Sequence, residues 1–315
     1  MIPSLVIAAL PISTLHDRAT AINPLISIDF PDPSIVQDSD GTWYAFATNG
    51  NNHKVQVASA SSPSGPWSVL DNAYPLPTPG AWPNGQNVWA PDIRKIGSKY
   101  VLYYTATDAE QTAQHCVGTA TSNTILGQYS AAATPIACSL TAGGAIDPTG
   151  FTDQDGTHYV IYKVDGNSVG HGGSYGNTVA PIIPTPLMLQ QLAPDGITPV
   201  NVPIELLDRG DADGPLIEAP NMILVNGVYF LFFSSNCYTT TLYDVSYATA
   251  TSVKGPFTKS SAPLMVTNNP YEVTAPRGAT ATTDGKAISF HANCPGGRCM
   301  FKRAITISGM KITMN

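Results

Sequence analysis

Three carboxylates in this chain stand beside prolines, in Asp32-Pro33, Asp147-Pro148 and Glu218-Ala219-Pro220. A single Asp before Pro is an ordinary turn starter. Two at one repeat position, with a glutamate beside a third, ask for more. Three acids near one axis repel one another, and burying a charge without a partner is costly. If their surroundings push their pKa values apart, one becomes a proton donor while another stays an ionised base, which is the division of labour that glycoside hydrolysis requires.

The elements that must hold these residues are read from a repeat. Five segments align: Asp32-Pro33 to Thr48, Ala90-Pro91 to Ala106, Asp147-Pro148 to Lys163, Ala219-Pro220 to Ser235 and Ala275-Pro276 to Ala292. Each has a strand-like run, a two-residue turn and a second run. The turns are Asp40-Gly41, Gly97-Ser98, Asp155-Gly156, Asn226-Gly227 and Asp284-Gly285, and such pairs are strong hairpin signals. The run Tyr229 to Phe233 is too apolar for a solvated face and predicts a strand buried on both sides. The aligned prolines recur every 56 to 72 residues, the period of a propeller blade. The fold class that follows is all-β, a five-bladed β-propeller over 28–315 after an N-terminal segment 1–27.

In such a ring the residue before each aligned Pro (Asp32, Ala90, Asp147, Ala219 and Ala275) lies at one level around the axis. Glu218 sits one residue earlier in its repeat, and strict strand alternation aims it away from the two aspartates. Outer turns are marked by Ser61 to Trp67, Thr121 to Tyr129 and Thr251 to Phe257, each preceded by an alternating run expected to be a half-exposed outer strand. The third repeat departs, with a Gly-rich stretch bearing His171 and Tyr175 and a Pro-rich connection, a loop expected to wall the central funnel. No amphipathic helix of normal length is evident.

Of the 315 residues only 12% are charged, while Gly and Pro number 27 each, as suits short strands joined by turns. The net charge of −7, with Lys and Arg unclustered, excludes a nucleic-acid footprint and favours a neutral partner. No membrane partner is expected. Residues 1–15 hold an apolar run of signal-peptide length without a basic n-region, so a signal remnant and an ordinary first strand are the two readings. Among five cysteines, Cys294 and Cys299 flank a tight turn suited to a small disulfide loop, at least one thiol stays free, and the spacing does not resemble a zinc site.

The order Asp32-Pro33, Asp147-Pro148, Glu218-Ala219-Pro220, with Trp89-Ala90-Pro91-Asp92 between and Gly-Pro-Trp type blade markers, resembles glycoside hydrolase family 43 over about residues 28–310. The resemblance implies arabinanase, α-L-arabinofuranosidase or β-xylosidase activity. It makes Asp32 the general base, Glu218 the general acid, and Asp147 the residue that raises the acid's pKa and orients it. An inverting mechanism implies base and acid carboxyls roughly 6.5 to 9.5 Å apart. It also implies that His291 helps hold a structural calcium ion near the axis through water, although a lone His on a strand is more often a core residue. The segment Pro276-Arg277-Gly278-Ala279-Thr280 departs from the Gly- and His-rich family pattern. No cofactor is otherwise required.

Trp89 is a candidate for stacking on a sugar face, with a core tryptophan as the rival reading, and Arg277 for reaching sugar hydroxyls, with a salt bridge as its rival. The expectation reached is a secreted, monomeric, exo-acting α-L-arabinofuranosidase on arabinose- or xylose-containing polysaccharides. A β-xylosidase is the runner-up and an exo-galactanase the third choice. Sucrose- and fructan-active propellers fit poorly, because Ile146 precedes Asp147 and Ala219 follows Glu218. A non-catalytic sugar-binding propeller is the rival of a different class.

Overall fold

The computed structural model describes residues 19–315, so the two readings of residues 1–15 lie outside the described residues. It contains five antiparallel four-stranded sheets, each in sequence order. The first holds β1 (Ser34–Gln37), β2 (Trp43–Ala47), β3 (Gln56–Ala60) and β4 (Ser68–Val69). The second holds β5 (Trp89–Ile96), β6 (Lys99–Thr107), β7 (His115–Ser122) and β8 (Ser130–Ala131). The third holds β9 (Ala145–Thr152), β10 (His158–Val164), β11 (Leu187–Leu192) and β12 (Ile204–Leu207). The fourth holds β13 (Ile217–Val225), β14 (Val228–Ser235), β15 (Ser246–Ala250) and β16 (Thr258–Lys259). The fifth holds β17 (Thr274–Ala281), β18 (Ala287–Cys294), β19 (Gly297–Ser308) and β20 (Lys311–Met314). Each expected hairpin is thus the first pair of a blade of a five-bladed β-propeller. The described helices are 3₁₀ turns of three or four residues.

The core is a set of seams between blades. Strand β14 shows why an all-apolar run is needed: Phe230 and Phe232 pack toward the fifth blade, while Leu231 and Phe233 pack toward the third. Both faces of the strand are therefore covered. The seam between the first and fifth blades is built differently. Its buried members are Ala45, Ala47, Ala58 and Met300, and it is completed by Ile26 and Phe30 from the segment before β1. That segment is laid along the fifth blade by backbone hydrogen bonds from Thr20 to Pro270, Leu25 to Met300 and Phe30 to Arg298.

A polar belt ties the blades near the axis, using the residue after four of the five aligned prolines. Ser34 Oγ donates to Asp92 Oδ1 at 2.6 Å, the Gly150 N–H donates to Asp92 Oδ2 at 2.7 Å, and Asn221 Nδ2 donates to Thr149 Oγ1 at 3.3 Å. Asn221 Oδ1 accepts from the Ala281 N–H at 3.0 Å. Ser34, Asp92, Thr149 and Asn221 are all buried, so their polar atoms need these partners.

One expectation is corrected. The third strands are not half-exposed outer strands: β15 is buried throughout and β3 nearly so. The outermost position belongs to short fourth strands, which leave the third strand between neighbouring sheets. In β3 the polar residue Gln56 is satisfied internally, its Nε2 donating to the Thr48 carbonyl at 2.8 Å. Alternation there reports hydrogen bonding inside the blade rather than exposure.

Candidate active site

Asp32, Asp147, Ala219 and Ala275, four of the five residues preceding an aligned proline, adopt left-handed backbone angles, with φ between 51° and 55°. A non-glycine residue pays in strain for this conformation, so its repetition marks a built feature. The kink at Ala219 breaks the β13–β14 register: Glu218 pairs with Ser234, but the next pair is Asn221 with Phe232. Simple alternation therefore fails at this point. Glu218 comes to line the same cavity, of about 720 Å³, as Asp32 and Asp147.

Asp32 is held from two sides. Thr48 Oγ1 donates to its Oδ2 at 2.6 Å, and its own N–H donates to His291 Nδ1 at 2.9 Å. Gly278, with φ of +58°, leaves room for both: a Cβ there would lie 3.0 Å from Asp32 Oδ1 and from the His291 ring. Asp147 is fixed through its backbone, which donates to Thr105 Oγ1 at 3.0 Å, and its Oδ2 accepts from the Ala219 N–H at 3.0 Å. Burial, with the charges of Glu218 and Asp32, raises the Asp147 carboxyl well above its ordinary range.

Both oxygens of Glu218 are engaged. Tyr243 donates its hydroxyl to Oε1, and Lys163 Nζ lies 3.0 Å from Oε2. Lys163 also contacts Asp165 Oδ1 at 2.8 Å, and its side chain is 0% exposed. Burial alone would lower the Lys163 pKa, but the charges of Asp165 and Glu218 outweigh it and the net shift is upward. Burial beside Glu218 and Asp147 likewise raises the Tyr243 hydroxyl. One lysine thus serves Asp165 and Glu218 with Asp147 close by. This excess of negative charge is the physical reason for a proton to be retained among them.

The other expected site residues separate. Trp89 lines the cavity and packs against His115, ring centroids 4.5 Å apart. Arg277 also lines it; its Nη1 donates to the Ala275 carbonyl at 2.8 Å and to Asn293 Oδ1 at 3.1 Å, and its guanidinium lies 5.4 Å from the Tyr243 ring centroid. Tyr175, from the third-blade loop, reaches the cavity and meets Tyr238 edge-on at 5.3 Å. His171 does not reach it: the residue is exposed and its Nδ1 faces the Pro181 carbonyl at 2.7 Å.

His291 lines the cavity, and its buried Nε2 has no hydrogen-bond partner among the described residues. Because Nδ1 accepts from Asp32, the neutral ring carries its proton on Nε2. Burial, then the charges of Arg277 and Arg298, push its pKa well below the ordinary value, so the ring is neutral. A protonated Nε2 near two guanidinium groups suits a water and not direct ligation of a cation. Among the described residues the single cluster with metal-ligand spacing is Asp108, Cys116 and Cys138, and its cysteines are joined in a disulfide. Cys294 and Cys299 form the expected second bridge and Cys237 is the free, buried thiol.

Sequence reasoning missed Lys163, Asp165, Tyr243, Thr48 and His115. For Lys163 there was a signal, because it interrupts the otherwise apolar end of the run His158 to Val164. A lysine there must either reach solvent or find a carboxylate.

The model of glycosyl hydrolases family 43 matches residues 21–315. The chain belongs to glycosyl hydrolases family 43. Among related proteins, a probable arabinan endo-1,5-alpha-L-arabinosidase C of Aspergillus niger is 30% identical over 225 residues, covering 67% of this chain and 61% of its own length. An extracellular endo-alpha-(1->5)-L-arabinanase 1 of Bacillus subtilis is 26% identical over 246 residues, covering 75% and 69%. Across related Aspergillus and Bacillus proteins the match spans 28% to 69% of the relative's own length. A thermostable family-43 glycoside hydrolase of known structure superposes with a TM-score of 0.77 at 21% identity, covering 94% of each chain. Among the described residues no helix is long and apolar enough to cross a membrane.

Proposed function

We propose that this family 43 chain is an inverting glycosidase that cleaves α-1,5-linked arabinan outside the cell. The observation that carries the reading is the convergence of Asp32, Asp147 and Glu218 on one cavity, each anchored by different partners. Asp32, partly exposed and oriented by Thr48 and His291, takes a proton from the attacking water. Glu218 gives a proton to the departing oxygen. Asp147 holds a proton in reserve beside it, and Lys163 and Tyr243 keep the Glu218 carboxyl in place between turnovers. Arg277 and Trp89 are the candidate contacts to the sugar. A calcium ion at the axis would meet His291 through water and would supply positive charge there; no proton transfer described here depends on it.

The arabinan substrate and cleavage within the chain are favoured by the names of the relatives, which include endo-arabinanases. Extracellular action follows the name of the Bacillus relative. Exo-action as an α-L-arabinofuranosidase is the second reading, favoured by the Tyr175 and Tyr238 wall on one side of the cavity. A β-xylosidase stands behind both.

The test is a proton NMR time course on linear 1,5-α-arabinan, aryl arabinofuranosides and aryl xylopyranosides, with viscosity followed in parallel. Expected are new reducing ends formed first in the β-configuration and viscosity falling ahead of reducing-end release. First-formed α-anomer would overturn the roles of Asp32 and Glu218. Sugar release without early viscosity loss would give the exo reading, and turnover of xylosides alone would give the xylosidase. Glu218→Ala should lower the rate on poor leaving groups by several orders of magnitude.

A further inference from the structure

Two polar side chains of the cavity, His115 and Asn167, take no part in the proton transfers assigned to the carboxylates. His115 Nδ1 and Asn167 Oδ1 are buried, lack hydrogen bonds among the described residues, and belong to residues that line the cavity. Buried polar atoms without partners are uncommon, and a cluster of them facing a cavity points to something that fills it. Burial lowers the His115 pKa, opposed by the charge of Asp165, so the ring is neutral and offers one donor and one acceptor. The Asn167 amide offers both as well. Trp89, packed on the His115 ring, adds an aromatic surface. Neutral donors and acceptors beside an aromatic ring match sugar hydroxyls and not a charged group.

Their place in the fold says which sugar. The three carboxylates sit at or next to the left-handed kinks of innermost first strands. His115 begins β7, the third strand of its blade, and Asn167 lies in the 3₁₀ turn Gly166–Val169 of the third-blade loop, so both are set outward from the axis. The two arms are fixed to each other through Gly144. Its backbone bridges His115, its carbonyl accepts from the Asp165 N–H at 3.1 Å, and a Cβ there would lie 2.3 Å from the His115 carbonyl oxygen. A site on such a tied frame needs little ordering on binding.

We infer that His115 and Asn167, with Trp89, form a subsite for an arabinofuranosyl unit of the chain next to the one that spans the carboxylates. The inference rests on the arabinan reading and adds residues that hold the polymer. The sugar's hydroxyls replace waters on His115 Nδ1 and Asn167 Oδ1, with no change of ionisation.

The test compares kcat and KM of the full chain on 1,5-α-L-arabinotriose and on 4-nitrophenyl α-L-arabinofuranoside, which carries a single sugar unit. His115→Ala and Asn167→Ala should each lower kcat/KM on the trisaccharide about tenfold, mostly through KM, and at least about fivefold more than on the aryl substrate. His115→Gln, which keeps a donor and an acceptor, should recover most of the loss. Melting temperatures are measured alongside, and Asn167→Ala, in a surface turn, guards against a folding defect in the His115 variants. Equal losses on both substrates, or none on the trisaccharide, overturn the subsite alone. A wild-type protein that turns over neither substrate overturns the arabinan reading and the subsite with it.

Discussion

Replacing Lys163 by methionine separates charge from packing in the cluster beneath Glu218. The side chain is 0% exposed and its Nζ lies 2.8 Å from Asp165 Oδ1 and 3.0 Å from Glu218 Oε2. Methionine keeps much of the volume and removes the charge. Breaking a buried pair from one side leaves uncompensated charge and costs about 3–5 kcal/mol. At about 1.5 °C per kcal/mol, which follows from about 2.1 cal/mol/K of unfolding entropy per residue, the melting temperature should fall by roughly 5–8 °C near neutral pH. The pH dependence carries the diagnosis. The Lys163 pKa in the fold is raised above its usual 10.5, so its contribution is complete below that value and is lost only as pH rises through the folded value. Lys163 therefore keeps its charge from about pH 5 to pH 8. Burial and neighbouring charge already raise Asp147 beside this cluster, and loss of the cation adds to that, so proton uptake there as pH falls should shrink the deficit between about pH 8 and pH 5. Calorimetric melting of both proteins at the two pH values reads this directly. An equal deficit at both values would show that packing, and not charge, is what Lys163 provides, and a deficit below about 2 °C would refute the cluster altogether.

Asp147→Asn should stabilise the protein while disabling it. The folded pKa of Asp147 lies above its usual 3.8, so the folded state holds a proton that the unfolded chain has released, and stability is lost as pH rises through the folded value. Asparagine keeps an acceptor for the Ala219 N–H without the charge, so melting at about pH 8 should rise by a few degrees and the gap should close toward about pH 4, with kcat reduced at least about 10²-fold. A lower melting temperature at both values would contradict this. Gly278→Ala should lower kcat at least about tenfold while costing only about 1–2 kcal/mol of stability, because its Cβ meets Asp32 and His291 from a left-handed backbone; unchanged kcat would show that Asp32 tolerates the shift. The Cys116–Cys138 bridge, with a separation of 22, should contribute about 3 kcal/mol and the Cys294–Cys299 bridge, with a separation of 5, about 2 kcal/mol. Serine pairs at each site, melted in parallel, would reverse that order if native-state contacts outweigh the loop closed in the unfolded chain.

Much of this fold was legible because the signals were local. Two-residue turns and the aromatic run of β14 depend on neighbours in sequence, and they predicted hairpins that the structure contains. The third strands were misread because alternation was taken for exposure, whereas Gln56 and Ser246 are polar residues satisfied inside the blade. The one-residue offset of Glu218 looked awkward for the same reason. It dissolves once Ala219 is seen at a φ of 52°, a conformation that an alanine does not advertise. Arg277 occupies the repeat position that carries Ser34, Asp92, Thr149 and Asn221 elsewhere, and its turn toward the cavity was recognisable only as a departure from that belt. Lys163 stood out as a cation in an apolar run, but its partner Glu218, like that of Tyr243, lies at a distance in sequence that no local pattern records.

Because every sheet among the described residues is built from consecutive strands, no such blade joins the N-terminal and C-terminal ends of the described chain. The ring is fastened instead by the strap at residues 20–30, and the same seam is crossed by the hydrogen bond from Asp32 to His291. The proposed general base is therefore also a latch sensor. A small gape at this joint, too slight to unfold any sheet, would move Asp32 relative to the acids of the third and fourth blades. On warming, catalysis should fade before the sheets melt, and shortening the strap should lower the temperature of inactivation more than that of unfolding.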